Sequence, residues 1–380
     1  MFNMWNSIAG YSIICLLILV HSGCTSESLD PQKEILYVGT FSDEGLYVLE
    51  FNREERSFSE LQRVDDHPEP NFQALHPNGA YLYSVSRAGE YGSISSYSIN
   101  SEDGSLSFIN EQLEETRGQN HISIDPQGRF AYVANGGVGT ISVYPITSGG
   151  QLGEAVDVVQ HEGSSVHDRQ GGPYPHSNTP SMDGNYVYTP DLGTDQVAIY
   201  ALDSGTGQLT PAQMPYAELE PGSGPRHFAI HPEGNFAYSV NELASTVSAF
   251  AVDQTTGALE KLQRINMLPD DFDEFSHSAE IQVSPDGRFL YASNRGHDSL
   301  VIYEIDQSTG QIELVGHEST RGGHPRNFAV DALGEFVFVV NRDDNNVVLF
   351  ERDQETGLLT YTGVEAEVDR PICITQYFIY

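Results

Sequence analysis

One phrase recurs six times along this chain: NFQALHPNGAYLYSVSR, HISIDPQGRFAYVANGG, HSNTPSMDGNYVYTPDL, RHFAIHPEGNFAYSVNE, AEIQVSPDGRFLYASNR and RNFAVDALGEFVFVVNR. Its turn glycine falls at Gly79, Gly128, Gly184, Gly234, Gly287 and Gly334, a mean period of 51 residues. Each unit holds four strand patterns. A short apolar run leads into a Pro/Asp/Gly turn, two alternating runs such as FAYSVN and TVSAFAVD follow, and a last run comes after a turn of the TTGAL type. Helical periodicity is absent, and a period of this length is that of a propeller blade.

Six phrases do not complete the count. ILYVGTFSDEGLYVLEFNREERSFSELQRV, residues 35–64, supplies the last three strands of another unit without its first, and RPICITQYF, residues 370–378, can take the missing place. The expected fold is therefore all-β, a seven-bladed β-propeller over residues 35–380, closed by strands from both termini so that no sheet edge stays open. A WD40 reading is weaker, because the Gly-His and Trp-Asp signatures are missing and the one tryptophan, Trp5, precedes the repeats.

The apolar run SIAGYSIICLLILVHSGC ends at Cys24 and gives way to the polar TSESLDPQKE. It reads as a secretion signal, residues 1–24, followed by a linker, 25–34, and it is short for a membrane span. SGC is similar to the end of a bacterial lipobox, which makes Cys24 the expected lipidation site and the chain an exported, periplasmic or cell-surface lipoprotein of a bacterium. His21 stands where lipoproteins usually have Leu and no Lys or Arg precedes the run, so an ordinary cleaved signal or an uncleaved anchor is the alternative. Cys373 is the only cysteine of the body, so no intrachain disulfide is expected.

Eighteen Lys and Arg against 54 Asp and Glu leave a formal charge of -36, which excludes nucleic acid and an anionic membrane surface as partners. Contact with the membrane is expected only through the N-terminal lipid anchor. Any bound anion must be met by a local basic cluster that overcomes the general field, and blade topology points to one. The loop entering the innermost strand and the loop leaving the second strand open on the same face, beside the axis. His121, His176, Arg226, His227, His277, Glu280 and Arg326 precede or begin innermost strands, while Arg87, Asn135, Asp191, Asn241, Glu242, Asn294, Arg295, Asn341 and Arg342 leave second strands. Asn135, Asn241 and Asn294 are expected to satisfy loop backbone. His76 and His231, in HPNG and HPEG turns, belong to the other face as solvated or turn-stabilising residues without a catalytic role. Five of the 18 basic residues, Arg87, Arg226, Arg295, Arg326 and Arg342, thus collect at one channel mouth.

The stretches RQGGPYPHS, DLGTDQVAIY, GSGPRHFAIHPEGNFAYSVNEL, SAEIQVSPDGRFLYASNRG and PRNFAVD resemble the seven-bladed propeller lactonases of the bacterial 6-phosphogluconolactonase type, which also include the fungal carboxymuconate lactonizing enzymes. The resemblance spans residues 35–378. It implies a site in the central cleft built from a His, a Glu and arginines, which map onto His176, Glu242, Arg226 and Arg295. One position departs: relatives commonly carry PHxHS, and here the first histidine of the pair is Tyr174 in Pro173-Tyr174-Pro175-His176-Ser177.

Opening a lactone needs an activated water, a stabilised oxyanion and recognition of the ring. His176 fits the general base, and Glu242 either orients that imidazole or takes the base role itself. Arg226 and Arg295 fit the oxyanion or a substrate anion, with His227, Arg326, Asp191, His121 and Glu280 as further substrate-binding positions. No metal and no cofactor is expected: the ring of polar residues lacks a carboxylate cage for calcium and a close His/Cys spacing for zinc, and no nucleophile elbow presents a serine. The expected function is an exported hydrolase of a sugar-type lactone, acting as a monomer on a small-molecule lactone or sugar acid. The alternatives are a carboxymuconate-type lactonizing reaction and a non-catalytic surface propeller that binds sugars or proteins. Phosphorylated gluconolactone is a cytoplasmic intermediate, so export favours an unphosphorylated lactone.

Overall fold

In the computed structural model, which describes residues 31–65, 67–87, 91–114 and 116–380, the strands form seven separate four-stranded antiparallel sheets. Blades 2 to 7 follow chain order, with innermost strands Pro70–Leu75, Gln119–Ile124, Thr179–Pro180, Pro225–Ile230, His277–Val283 and Pro325–Val330. Blade 1 joins the termini. Pro371–Ile379 is its innermost strand and pairs antiparallel with Lys33–Thr40, outside which lie Leu46–Asn52 and Ser57–Val64. The first strand begins two residues inside the expected linker. The expected signal 1–24 and the lipidation site Cys24 lie outside the described residues.

Each sheet is covered on both faces by its neighbours, which is why the second strands FAYVAN, FAYSVN and FVFVVN are buried at every position. Seven apolar clusters fill the spaces between adjacent blades. Burying a Val, Leu, Ile or Phe there is worth roughly 1.5–3 kcal/mol each. The cluster between blades 7 and 1 packs Phe336 and Phe338 of one terminus against Leu36, Leu49 and Phe51 of the other, so closure is sealed by side chains as well as by the ladder.

Polar contacts repeat with the same period. A buried second-layer tyrosine bonds a glycine carbonyl of the next blade's outer turn: Tyr37 to Gly104 at 2.8 Å, Tyr83 to Gly150 at 3.1 Å, Tyr238 to Gly310 at 3.1 Å and Tyr291 to Gly357 at 2.7 Å. On the face opposite the site, His76 Nε2 lies 2.9 Å from the Gly128 carbonyl and His231 Nε2 lies 3.0 Å from that of Gly287. These turn histidines clamp successive blades, and His231 is buried where solvation was one expectation.

The feature that builds the site is a break in register. In blades 2, 3, 5 and 7 the innermost strand carries one extra residue near its start, so that Pro70/Phe72, Gln119/His121, Pro225/His227 and Pro325/Asn327 are consecutive pairs in the ladder. The residues left out of pairing are Asn71, Asn120, Arg226 and Arg326. In blade 6 the shift falls between Ser278 and Ile281 and releases Ala279 and Glu280. A bulge re-aims the side chains beside it, and here it does so around the channel.

Candidate active site

Glu242 follows the second strand of blade 5 and is held by three guanidiniums. Arg226 donates through Nε at 2.9 Å, Arg295 Nη2 stands at 3.0 Å, and Arg169 donates through Nη1 at 2.6 Å. Together they hold the Glu242 carboxyl well below the usual carboxylate range, although burial alone would raise it. His277 Nδ1 lies 3.7 Å from the same carboxylate.

A second chain of contacts runs from Arg226 in blade 5 through blade 6 to blade 7. Arg226 Nη1 lies 3.0 Å from His227 Nε2 and donates to the Ala279 carbonyl at 2.8 Å, while His227 Nδ1 lies 3.0 Å from Glu280 Oε2. A guanidinium can only donate, so His227 accepts at Nε2 and carries its proton on Nδ1, toward Glu280. Asn327 Nδ2 also donates to Glu280 Oε2, and the Ile281 amide donates to Oε1 at 3.0 Å. Burial dominates these donors and raises the Glu280 carboxyl to about 7. Arg226 is itself 1% exposed, and burial followed by the nearby Arg295 lowers it to about 10.

The imidazoles pack around His227. His176 lies 5.2 Å and His121 5.3 Å from it between ring centroids, and Phe72 lies 4.1 Å from His121. His176 is buried, and its Nδ1 has no hydrogen-bond partner. Burial first, then the field of Arg226, His227 and the other arginines, holds His176 well below its ordinary pKa, so it is a neutral acceptor at pH 7. Arg326, released by its bulge, has a single long contact, Nη2 to Asn71 Oδ1 at 3.4 Å, and no carboxylate partner among the described residues. It therefore keeps for a ligand the donors that Arg226 and Arg295 spend on Glu242.

Of the positions expected from sequence, His176, Glu242, Arg226, Arg295, His227, Arg326, His121 and Glu280 come together in one cluster. Asp191 does not join them. It is fully buried, accepting from the Tyr174 and Gly193 amides at 2.7 and 2.9 Å and facing His161 Nδ1 at 2.7 Å, so both oxygens brace the blade-4 loop. The role of Glu242 also changes. It makes no contact with His176, and three guanidiniums leave it neither an orienting partner for that imidazole nor an effective base. Of the three asparagines expected to satisfy loop backbone, Asn294 does so at the Met267 carbonyl, whereas Asn135 donates to the Glu114 carboxylate and Asn241 to the Thr246 and Ser248 hydroxyls.

Arg169 is the residue missed from sequence. It sits in the long loop before blade 4, outside the repeat, and is aimed by its neighbour: Gln170 donates to the Leu192 carbonyl at 2.8 Å and to Asp195 at 2.7 Å. Asp195 also accepts from the Gly222 and Gly224 amides, which ties this loop to the one entering blade 5. The RQ pair ahead of the His176 loop was the available signal.

The model of the family described as "Lactonase, 7-bladed beta-propeller" matches residues 35–376. The chain is 36% identical over 299 residues to a 6-phosphogluconolactonase of Bacillus subtilis, covering 78% of this chain and 84% of that one. It is 39% identical over 305 residues to a 6-phosphogluconolactonase of Formosa agariphila, covering 78% and 86%. Among solved structures, a periplasmic gluconolactonase of Pseudomonas aeruginosa superposes with a TM-score of 0.86 at 31% identity, over 92% of this chain and 100% of that chain.

Proposed function

This chain belongs to the seven-bladed β-propeller lactonase family, and from that premise we propose that it is an exported hydrolase that opens an unphosphorylated sugar-type lactone in the central channel. The observation that carries this reading is the state of His176: a neutral, buried imidazole with a free nitrogen, set among guanidiniums in an otherwise acidic protein. In the proposed reaction His176 takes a proton from water as the water oxygen attacks the lactone carbonyl. Arg326 and Arg295 stabilise the negative charge that develops on the carbonyl oxygen, a donor of this kind being worth about 10² to 10³ in rate. Collapse of the tetrahedral intermediate breaks the ring C–O bond, and the imidazolium returns the proton to the leaving oxygen. Glu242 keeps Arg169, Arg226 and Arg295 in register at the mouth, and no step passes through a metal or cofactor.

Export and lipid attachment at Cys24 belong to the same proposal. They rest on the apolar segment ending in SGC, and they fit the periplasmic description carried by the Pseudomonas aeruginosa neighbour.

The test is a panel of sugar and acid lactones on purified protein with and without chelator. His176→Ala should lower turnover by roughly 10² or more, activity should persist in chelator, and His231→Ala, a clamp on the opposite face, should retain turnover. If no lactone is opened faster than in buffer, or if His231→Ala loses as much as His176→Ala, the binding-propeller reading takes its place.

A further inference from the structure

Outward of Arg295, between the loops of blades 6 and 7, lies an open cleft enclosing about 480 Å³ with its mouth included. Its inner wall is the site itself. Arg295 and His277 line it, and both also face Glu242, at 3.0 and 3.7 Å. Arg295 is nine-tenths buried and keeps Nε without a hydrogen-bond partner. The outer wall is Phe275, 75% exposed, whose ring packs on His277 at 4.3 Å between centroids. Asp298 and Asp343 complete the rim. Asp298 Oδ1 accepts from the Gly296 and His324 amides at 3.0 and 2.9 Å, and Asp343 Oδ1 accepts from Arg342 Nε at 2.7 Å, so the second oxygen of each carboxylate keeps lone pairs for a donor. Burial and then Arg295 lower His324 to about 3, so it adds no charge.

We propose that this cleft is a second subsite that receives a neutral glycosyl group attached to the lactone, so that the substrate class includes aldonolactones carrying a further sugar. The inference rests on the lactonase reading above and deepens it. An exposed aromatic face beside hydrogen-bond acceptors suits a pyranose, whose C–H face lies against the ring while its hydroxyls donate to the carboxylates. The same two carboxylates repel a phosphate. A ring bound against Arg295 has this cleft as its continuation, because Arg295 forms part of both walls.

The experiment compares gluconate with cellobionate, its glucosylated counterpart, by calorimetry on the full protein, and glucono-1,5-lactone with cellobiono-1,5-lactone in turnover. Cellobionate should bind about tenfold more tightly than gluconate, and Phe275→Ala should remove that advantage while leaving gluconate binding unchanged. Equal affinity for the two acids in the wild type, or an advantage that survives Phe275→Ala, overturns the subsite. Opening of gluconolactone with no glycosyl preference in either assay refutes the subsite and leaves the lactonase reading standing. Cellobionate binding that depends on Phe275 with no lactone opened keeps the subsite and removes the lactonase reading.

Discussion

Replacing Glu280 by Gln removes one carboxylate from the channel wall with little change of shape. In the native protein burial raises this carboxyl from 4.5 to about 7, which corresponds to about 3 kcal/mol at roughly 1.4 kcal/mol per pH unit. The fold holds the proton of Glu280 more tightly than the unfolded chain does. Its contribution is therefore fully present below pH 4.5 and is lost as the pH rises through 7. Glutamine does not titrate, so its amide, facing the His227 and Asn327 donors, adds a penalty that does not vary with pH. Urea unfolding of both proteins between pH 4.5 and 8 should then show the stability difference moving in favour of Glu280→Gln by about 3 kcal/mol. Activity supplies a second readout, because ionised Glu280 fixes the His227 tautomer that accepts from Arg226. The wild-type kcat/KM should fall on acidification through about 7, and this limb should be missing from the variant, whereas titration of His176 lies well below 6.5. A stability difference that is flat with pH, or an acid limb that persists in Glu280→Gln, refutes the reasoning.

Deleting residues 371–380 strips the innermost strand from blade 1 and bares the edge of Lys33–Thr40; the shortened chain should aggregate and lose cooperative unfolding, and a monomer with unchanged unfolding would refute closure by this strand. Arg169→Ala removes the outermost guanidinium on Glu242 while Arg226 and Arg295 remain, so thermal unfolding should hardly move while kcat/KM falls about tenfold, the scale of one charge-assisted hydrogen bond; an unchanged kcat/KM contradicts its placement at the mouth. Metabolic labelling with a palmitate analogue should mark the wild type and not Cys24→Ser, and equal labelling of both would remove the lipid anchor.

The architecture was legible because six of the seven blades repeat one turn glycine, and because the unit at residues 35–64 lacked a strand that residues 370–378 could supply. Arg226, Arg295 and Glu242 were legible as positions, since blade topology alone sends those strand ends to one face. Their partners were not. The bulges that free Arg226, Arg326 and Glu280 leave no mark in an alternating pattern, because an unpaired residue and a paired one look alike in sequence. Asp191 is the last residue of its strand, the place Asn241 holds in blade 5, and is buried among backbone amides, whereas Glu242 lies one residue beyond its strand and meets three guanidiniums. Two of those, Arg169 and Arg295, come from outside blade 5. Arg169 was hidden for the same reason, because its reach is set by Gln170 and Asp195 in a segment with no repeat phase.

The departure from the family pattern at Tyr174 can now be located. Its amide is fixed by Asp191, and its ring stands against Gly136, where an added Cβ would lie 2.6 Å from Tyr174 Cε1. The larger ring is accommodated because blade 3 presents a glycine there. Tyr174 reaches the site only through His176, 5.9 Å away between ring centroids, while the guanidinium cluster on Glu242 belongs to blades 5 and 6 and to the Arg169 side of the loop. A histidine exchanged for tyrosine at this place changes the wall beside the imidazole and leaves the charge arrangement intact. In the proposed reaction the wall at Tyr174 and the cleft at Phe275 would both bear on the shape of the lactone admitted, with the proton transfer left to His176.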